Sequence, residues 1–238
     1  MRTSNILGAC AVVLGLCAAG GIQSAGATGV DSKKAGEKFR VEILGASVSR
    51  QWRVEEFGQR TGMTGVEVRA RQEYDFDKTK LLRGLLAEPS RPDAVVIKEC
   101  AAYFPGDGAK YQRLVEGWVG ELRSAGIRPV LATSTPVTQR MPLWIYAKQL
   151  IKRYVLRTAY TDNDKRLEEL LAYNDWVRAY AVKQNIPLLD LEKAVRTSPA
   201  DRALKPEFTS GDGLHLSAAA YREMDSELRH TLGMLVRR

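Results

Sequence analysis

Short apolar runs alternate along this chain with longer stretches in which apolar residues recur every three or four positions. The run 39–46 is compact, apolar and broken by Gly45, and it predicts a first strand. Residues 49–60 carry Trp52 and Phe57 in a pattern that predicts a helix, and 65–71, with Val66 and Val68 alternating with polar positions, predict a second strand. In 78–87, Leu81, Leu82, Leu85 and Leu86 line one face of a helix, with Asp77 as its N-cap. A buried strand at 93–97 precedes a helix over 107–125, with Leu114, Val115, Trp118 and Leu122 at core spacing and Gly126 closing it. Further strands fall at 129–133 and 186–189. Between them lies a long helical region that includes 167–183, carrying Leu170, Leu171, Trp176 and Val177. The last helix, 217–235, turns Ala220, Met224, Leu228 and Leu232 inward.

Strands that alternate with helices build a mainly parallel sheet covered on both faces. The fold class is therefore α/β, a three-layer α/β/α arrangement on a five-stranded sheet. Sites in such sheets lie beyond the carboxyl ends of the strands. One domain, 39–238, with a helical insertion around 139–160, accounts for these elements. The polar, Gly-containing stretch 28–38 reads as a flexible leader.

Residues 1–27 read as an export signal. Arg2 begins it, Ile6 to Ile22 is apolar and uncharged, and Ala25-Gly26-Ala27 fits a small-residue cleavage site. Retention as an N-terminal anchor and lipid attachment at Cys17 or Cys10 are the rival readings. The chain is thus expected to be exported: periplasmic, secreted or membrane-anchored at its N-terminus. Two of its three cysteines lie in this segment, so the mature chain keeps only Cys100 and no internal disulfide. No His/Cys/Asp spacing resembles a metal site, and no cofactor is expected.

The formal net charge is +8 and the isoelectric point about 9.4. Outside the cytoplasm, such a surface suits acidic envelope polymers or anionic lipids, and it equally serves solubility. No nucleic-acid-binding motif accompanies the charge.

The chemistry sits at the two ends of the domain. Val41-Glu42-Ile43-Leu44-Gly45-Ala46-Ser47 presents a hydroxyl after a strand, and Gly211-Asp212-Gly213-Leu214-His215 sets a carboxylate three residues before an imidazole. A serine needs a base to take its proton, and the base needs an orienting group. Ser47, His215 and Asp212 supply the three parts. The simpler alternatives are a helix-capping serine, a structural histidine and a turn aspartate. His230, in the final helix, reads as a surface residue.

These two blocks resemble, in type, order and separation, those of the SGNH (GDSL-like) hydrolase superfamily, and the likeness spans most of the mature chain. It implies a flavodoxin-like SGNH fold and a serine esterase in which Ser47 is nucleophile, His215 general base and then acid, and Asp212 the orienter. The chain departs from the family pattern in three places. Ala46 stands where Asp usually precedes the serine. Arg69-Ala70-Arg71-Gln72-Glu73-Tyr74 offers no glycine after the second strand, and Lys98-Glu99-Cys100-Ala101-Ala102-Tyr103 offers no asparagine after the third. An ionised Glu99 aimed at an oxyanion would repel it. Either Glu99 turns away to pair with Lys98 or an arginine, or the pocket is not a standard esterase pocket, with backbone N–H groups near Cys100 to Ala102 in place of the missing donors.

Cys100 also reads as a small buried hydrophobe or, alternatively, a reactive thiol. Trp52 reads either as core or as a sugar-stacking wall. The apolar, aromatic and basic segment 141–154 reads as a lid, a partner-binding helix, a membrane-surface contact or a packed helix. The resulting expectation is an exported esterase acting on a small-molecule or polysaccharide ester, leaning to O-acetylated carbohydrate. The alternatives are an inactive SGNH-fold module that binds glycan or lipid, and an envelope assembly factor that docks through 141–154.

Overall fold

The computed structural model describes residues 36–139, 143–156 and 163–237. The expected signal and most of the leader, 1–35, lie outside these residues, as do 140–142 and 157–162 of the expected insertion. Five strands form one all-parallel sheet: β1 (Phe39–Gly45), β2 (Val66–Gln72), β3 (Ala94–Lys98), β4 (Arg128–Ala132) and β5 (Leu188–Leu189), in spatial order β2-β1-β3-β4-β5. Parallel strands with both faces covered read as near-continuous apolar runs, and all five residues of Ala94-Val95-Val96-Ile97-Lys98 are indeed buried.

Eight helices accompany the sheet among the described residues: α1 (Ser47–Trp52), α2 (Phe57–Thr61), α3 (Thr79–Ala87), α4 (Gly108–Ser124), α5 (Leu143–Leu156), α6 (Asn163–Gln184), α7 (Leu191–Val195) and α8 (Ala218–Val236). Alternating strand residues feed two cores. Val41, Ile43, Val96 and Val130 pack with Trp52, Phe57 and the α8 stripe Ala220, Met224, Leu228 and Leu232. Leu44, Val95, Ile97 and Leu131 pack instead with residues of α3, α4 and α6. This is the three-layer α/β/α architecture.

Three local readings need correction. The helix expected over 49–60 is broken: Arg53 is left-handed at φ 53° and a 3-10 turn, Val54–Glu56, separates α1 from α2. The break lets Trp52, Val54 and Phe57 all reach the core, with exposures of 2%, 0% and 0%. Asp77 stands one position before the N-cap of α3 and accepts from the Thr79 N–H at 2.9 Å. The five-residue α7 escaped the sequence reading. Its signal is the Asp190 N-cap, which accepts from the Lys193 N–H.

A buried polar joint fixes the region leading to the carboxyl-terminal block. Asn174 of α6 accepts from the Ser134 N–H and donates to Ser134 O and to Glu192 Oε2. Glu192 also accepts from Arg202, at 2.7 and 2.8 Å. Buried polar groups need such partners, and here they bind the loop after β4, α6, α7 and the chain at Arg202 into one unit.

Candidate active site

β1 ends at Gly45, and a side chain there would collide with α1: a Cβ would lie 2.0 Å from Ser49 Oγ. The chain turns at Ala46 straight into α1, whose N-cap makes no side-chain hydrogen bond. Ser47 opens α1 half-buried, so its own N–H has no intrahelical acceptor. The capping role considered for Ser47 is therefore not the one it plays; its hydroxyl faces a different partner.

That partner comes from a loop shaped by two glycines. Gly211 and Gly213 take φ of 107° and 77°, a conformation open to glycine and costly to other residues. Thr209 Oγ1 accepts from both of their N–H groups, at 3.2 and 2.9 Å. The Ser210 N–H donates to His215 O at 2.9 Å, and Thr138, beyond β4, donates its N–H to Gly213 O at 3.0 Å. Asp212 Oδ1 accepts from the Leu214 and His215 N–H groups at 2.9 and 2.7 Å, which leaves Oδ2 to His215 Nδ1 at 2.5 Å.

His215 Nε2 lies 3.3 Å from Ser47 Oγ, across 168 positions of sequence. With the Nδ1 proton held by Asp212, Nε2 is the ring atom left to accept the serine proton. The separation is at the long end of hydrogen-bond reach, as is common in resting sites. Burial would raise the Asp212 carboxyl, but the hydrogen bond from His215 and the two backbone N–H groups outweigh it and hold Asp212 below the ordinary carboxylate value. The fold thus brings Ser47, Asp212 and His215 into one hydrogen-bonded line. His230 lies apart, exposed on α8.

The other site candidates are all buried. Trp52 is withdrawn into the core and donates its indole N–H to Asp225 at 2.8 Å, so it builds no sugar-stacking wall. Cys100 and Ala101 are buried, at 4% and 3% exposure. Glu99 points inward: its carboxylate pairs with Lys78 Nζ, both side chains fully shielded from solvent. Lys98 is buried beside it and donates to Glu99 O at 3.2 Å. Burial pushes the Glu99 carboxyl up, opposed by Lys78, and burial also pushes the Lys98 ammonium down. Lys78, which sequence reasoning treated only as the first residue of a helix, is what turns Glu99 away from the pocket side.

At the end of β2 the backbone donors are spent. The Glu73 N–H goes to Gly45 O at 2.8 Å, and Glu73 Oε1 accepts from the Tyr74 and Asp75 N–H groups at 2.7 and 3.2 Å. Among the described residues no group of three or more His, Cys, Asp or Glu side chains is placed to hold a metal ion.

No family model matches the sequence, and no curated protein matches it. Solved structures do match. A GDSL-like lipase from Bacteroides thetaiotaomicron superposes with a TM-score of 0.60 at 16% identity, over 83% of this chain and 89% of that one. A catalytic mutant of an acetylxylan esterase from Geobacillus stearothermophilus superposes with a TM-score of 0.60 at 14% identity, over 84% of this chain and 97% of that one. The chain has the SGNH (GDSL-like) hydrolase fold.

Proposed function

We propose that this chain is an exported serine esterase working through an acyl-enzyme, with an O-acetylated carbohydrate as its favoured substrate class. One observation carries the reading: His215 stands 3.3 Å from Ser47 Oγ through Nε2 and 2.5 Å from Asp212 through Nδ1. Ser47 Oγ attacks the ester carbonyl while its proton passes to Nε2. The tetrahedral intermediate collapses, the ester C–O bond breaks, and the leaving alkoxide takes the proton from His215. Water, or a second hydroxyl in a transfer reaction, then attacks the acyl-serine by the same route in reverse. Asp212 holds the imidazole and stabilises its charged form.

The oxyanion needs donors that this chain does not draw from a glycine or an asparagine. The N–H of Ser47, the first of α1, is one candidate. The turn from Cys100 through Ala102, where the Tyr103 N–H is already given to Cys100 O, is the other. The buried Lys78–Glu99 pair removes the repulsion that an outward Glu99 would bring. Export follows from the cues of 1–27, and the carbohydrate lean from export, basic charge and the likeness to an acetylxylan esterase.

The test is labelling by a fluorophosphonate and release of acetate or p-nitrophenol from acetyl esters. Both should be lost in Ser47→Ala. Equal rates for the two proteins end the proposal. A second reading, a binding module that keeps the fold without turnover, is favoured by the spent donors after β2 and the missing asparagine after β3. It predicts no labelling of Ser47 together with glycan or lipid binding.

A further inference from the structure

We infer that α5 is a docking helix for an anionic lipid surface, lying in its plane, on an excursion that leaves and rejoins the domain next to the loop that carries Asp212 and His215. The first observation is exposure. Leu143, Trp144, Tyr146, Ile151, Tyr154 and Val155 are exposed by 86%, 58%, 43%, 62%, 76% and 70%. A helix that packs on its own domain buries its apolar stripe; this one presents it to solvent.

The second observation is arrangement. At 3.6 residues per turn these six residues fall within roughly half of the helix circumference, and Lys148 and Arg153 stand at its two margins. An apolar arc edged by cations is the pattern of helices that lie at a lipid–water boundary, with the apolar face among the acyl chains and the cations at the headgroups. The charge is one-sided: residues 139–161 contain five basic and no acidic side chains. Each such cation strengthens attachment to an anionic leaflet and gains nothing from a neutral one. The aromatic content, Trp144 with Tyr146 and Tyr154, suits the same boundary.

Length decides how the helix sits. Its 14 residues extend only about 21 Å, short of the roughly 30 Å hydrocarbon core. No helix among the described residues is long and apolar enough to cross a membrane. The helix therefore lies on the surface and does not span it.

The third observation links this surface to the catalytic loop. The excursion that contains α5 departs after Thr138 and returns at Asn163, whose side-chain amide donates to Thr138 O at 3.2 Å. Thr138 itself donates to Gly213 O, and Val137 O accepts from the Leu204 N–H, both at 3.0 Å. Both ends of the excursion are pinned beside Asp212. Docking through α5 brings the Ser47–His215 site close to the lipid boundary, where acylated lipids or envelope glycans tethered there are concentrated. Binding itself is independent of turnover, so it is read without an esterase assay.

The experiment uses the full chain with sedimenting vesicles of phosphatidylcholine alone and of phosphatidylcholine with phosphatidylglycerol. The chain should bind the anionic vesicles, weaken as salt rises, and bind neutral ones far less. Lys148→Glu/Arg153→Glu should bind roughly 30-fold more weakly or worse. Trp144→Ser/Ile151→Ser/Tyr154→Ser should bind roughly tenfold more weakly or worse. All three positions of the second variant are exposed, so its melting temperature should match that of the parent. Residues 1–35 are common to every protein compared, so the difference between variants is the readout. Lipid with brominated acyl chains should quench the fluorescence of the parent and spare that of Trp144→Phe. Equal binding by parent and variants overturns the inference. So does an α5-dependent dimer in sedimentation without vesicle binding, or α5-dependent binding to polygalacturonate with none to anionic vesicles.

Discussion

β1 and β3 lie side by side, with Leu44 opposite Ile97, and the chain leaves both at the same edge of the sheet. Both ends carry polar residues, and they are used in opposite ways. After β1, Ser47 stays half-buried and faces His215. After β3, Lys98 and Glu99 are withdrawn completely and answered from within, by Lys78 at the start of α3 and by the backbone. A polar residue at a strand's carboxyl end is therefore no site by itself. What separates the two is solvation: a nucleophile has to reach substrate and base, whereas a buried charge has to find a partner or become neutral.

The comparison is broken most sharply at Ser47. Ser47→Ala should lower ester turnover by roughly 10^3-fold or more, with an unchanged far-UV spectrum and melting temperature. A variant that keeps its rate would put the chemistry elsewhere. The β3 end should respond the other way round, in stability. Lys78→Met leaves Glu99 buried without its cation and should cost about 3–5 kcal/mol in urea unfolding. Lys78→Met/Glu99→Leu should recover most of that. If the single variant is as stable as the parent, the pair does not hold this edge of the sheet.

Gly45 joins the two ends. Gly45→Ala drives a Cβ into Ser49 and should cost about 1–3 kcal/mol, measured by thermal melting. Gly45→Ala/Ser49→Gly should restore part of the loss. The smallest effect is expected at acid pH. Asp212 titrates below its ordinary value, 3.8, when folded. A carboxyl with a depressed folded value contributes stability above its unfolded value, and that contribution is lost as pH falls through the folded one. Relative to Asp212→Asn, the parent should therefore lose stability more steeply below about pH 4. Parallel pH–stability curves for the two proteins would show that the Asp212–His215 contact adds nothing to folding.

The two ends also differ in how much of them sequence alone makes legible. The Ser47–His215–Asp212 line is legible because its parts are rare and locally framed. The chain has two histidines, and only one follows an Asp by three residues with glycines on either side of that Asp. Those glycines are needed for a left-handed turn whatever the loop does. The β3 end is legible only as a problem: Glu99 was an unexplained charge near the presumed site. Its partner lies 21 positions away, in a stretch read for its leucines, and no local spacing marks a Lys–Glu pair that closes across a strand and a helix. The break at Arg53 was hidden for a similar reason. Helical periodicity continues through it, and only the packing of Trp52, Val54 and Phe57 against one core shows why the backbone must turn there.

The alternation of strands and helices, the layer count, the stripe on α8 and the local frames of Ser47, Asp212 and His215 are properties of the sequence pattern, because periodicity and turn chemistry act over a few neighbouring positions. Sheet order, the meeting of Ser47 with His215, the inward turn of Glu99 and the outward face of α5 belong to tertiary structure. Each of these depends on which distant segment arrives to exclude water or, at α5, on none of the described segments arriving to cover an apolar face.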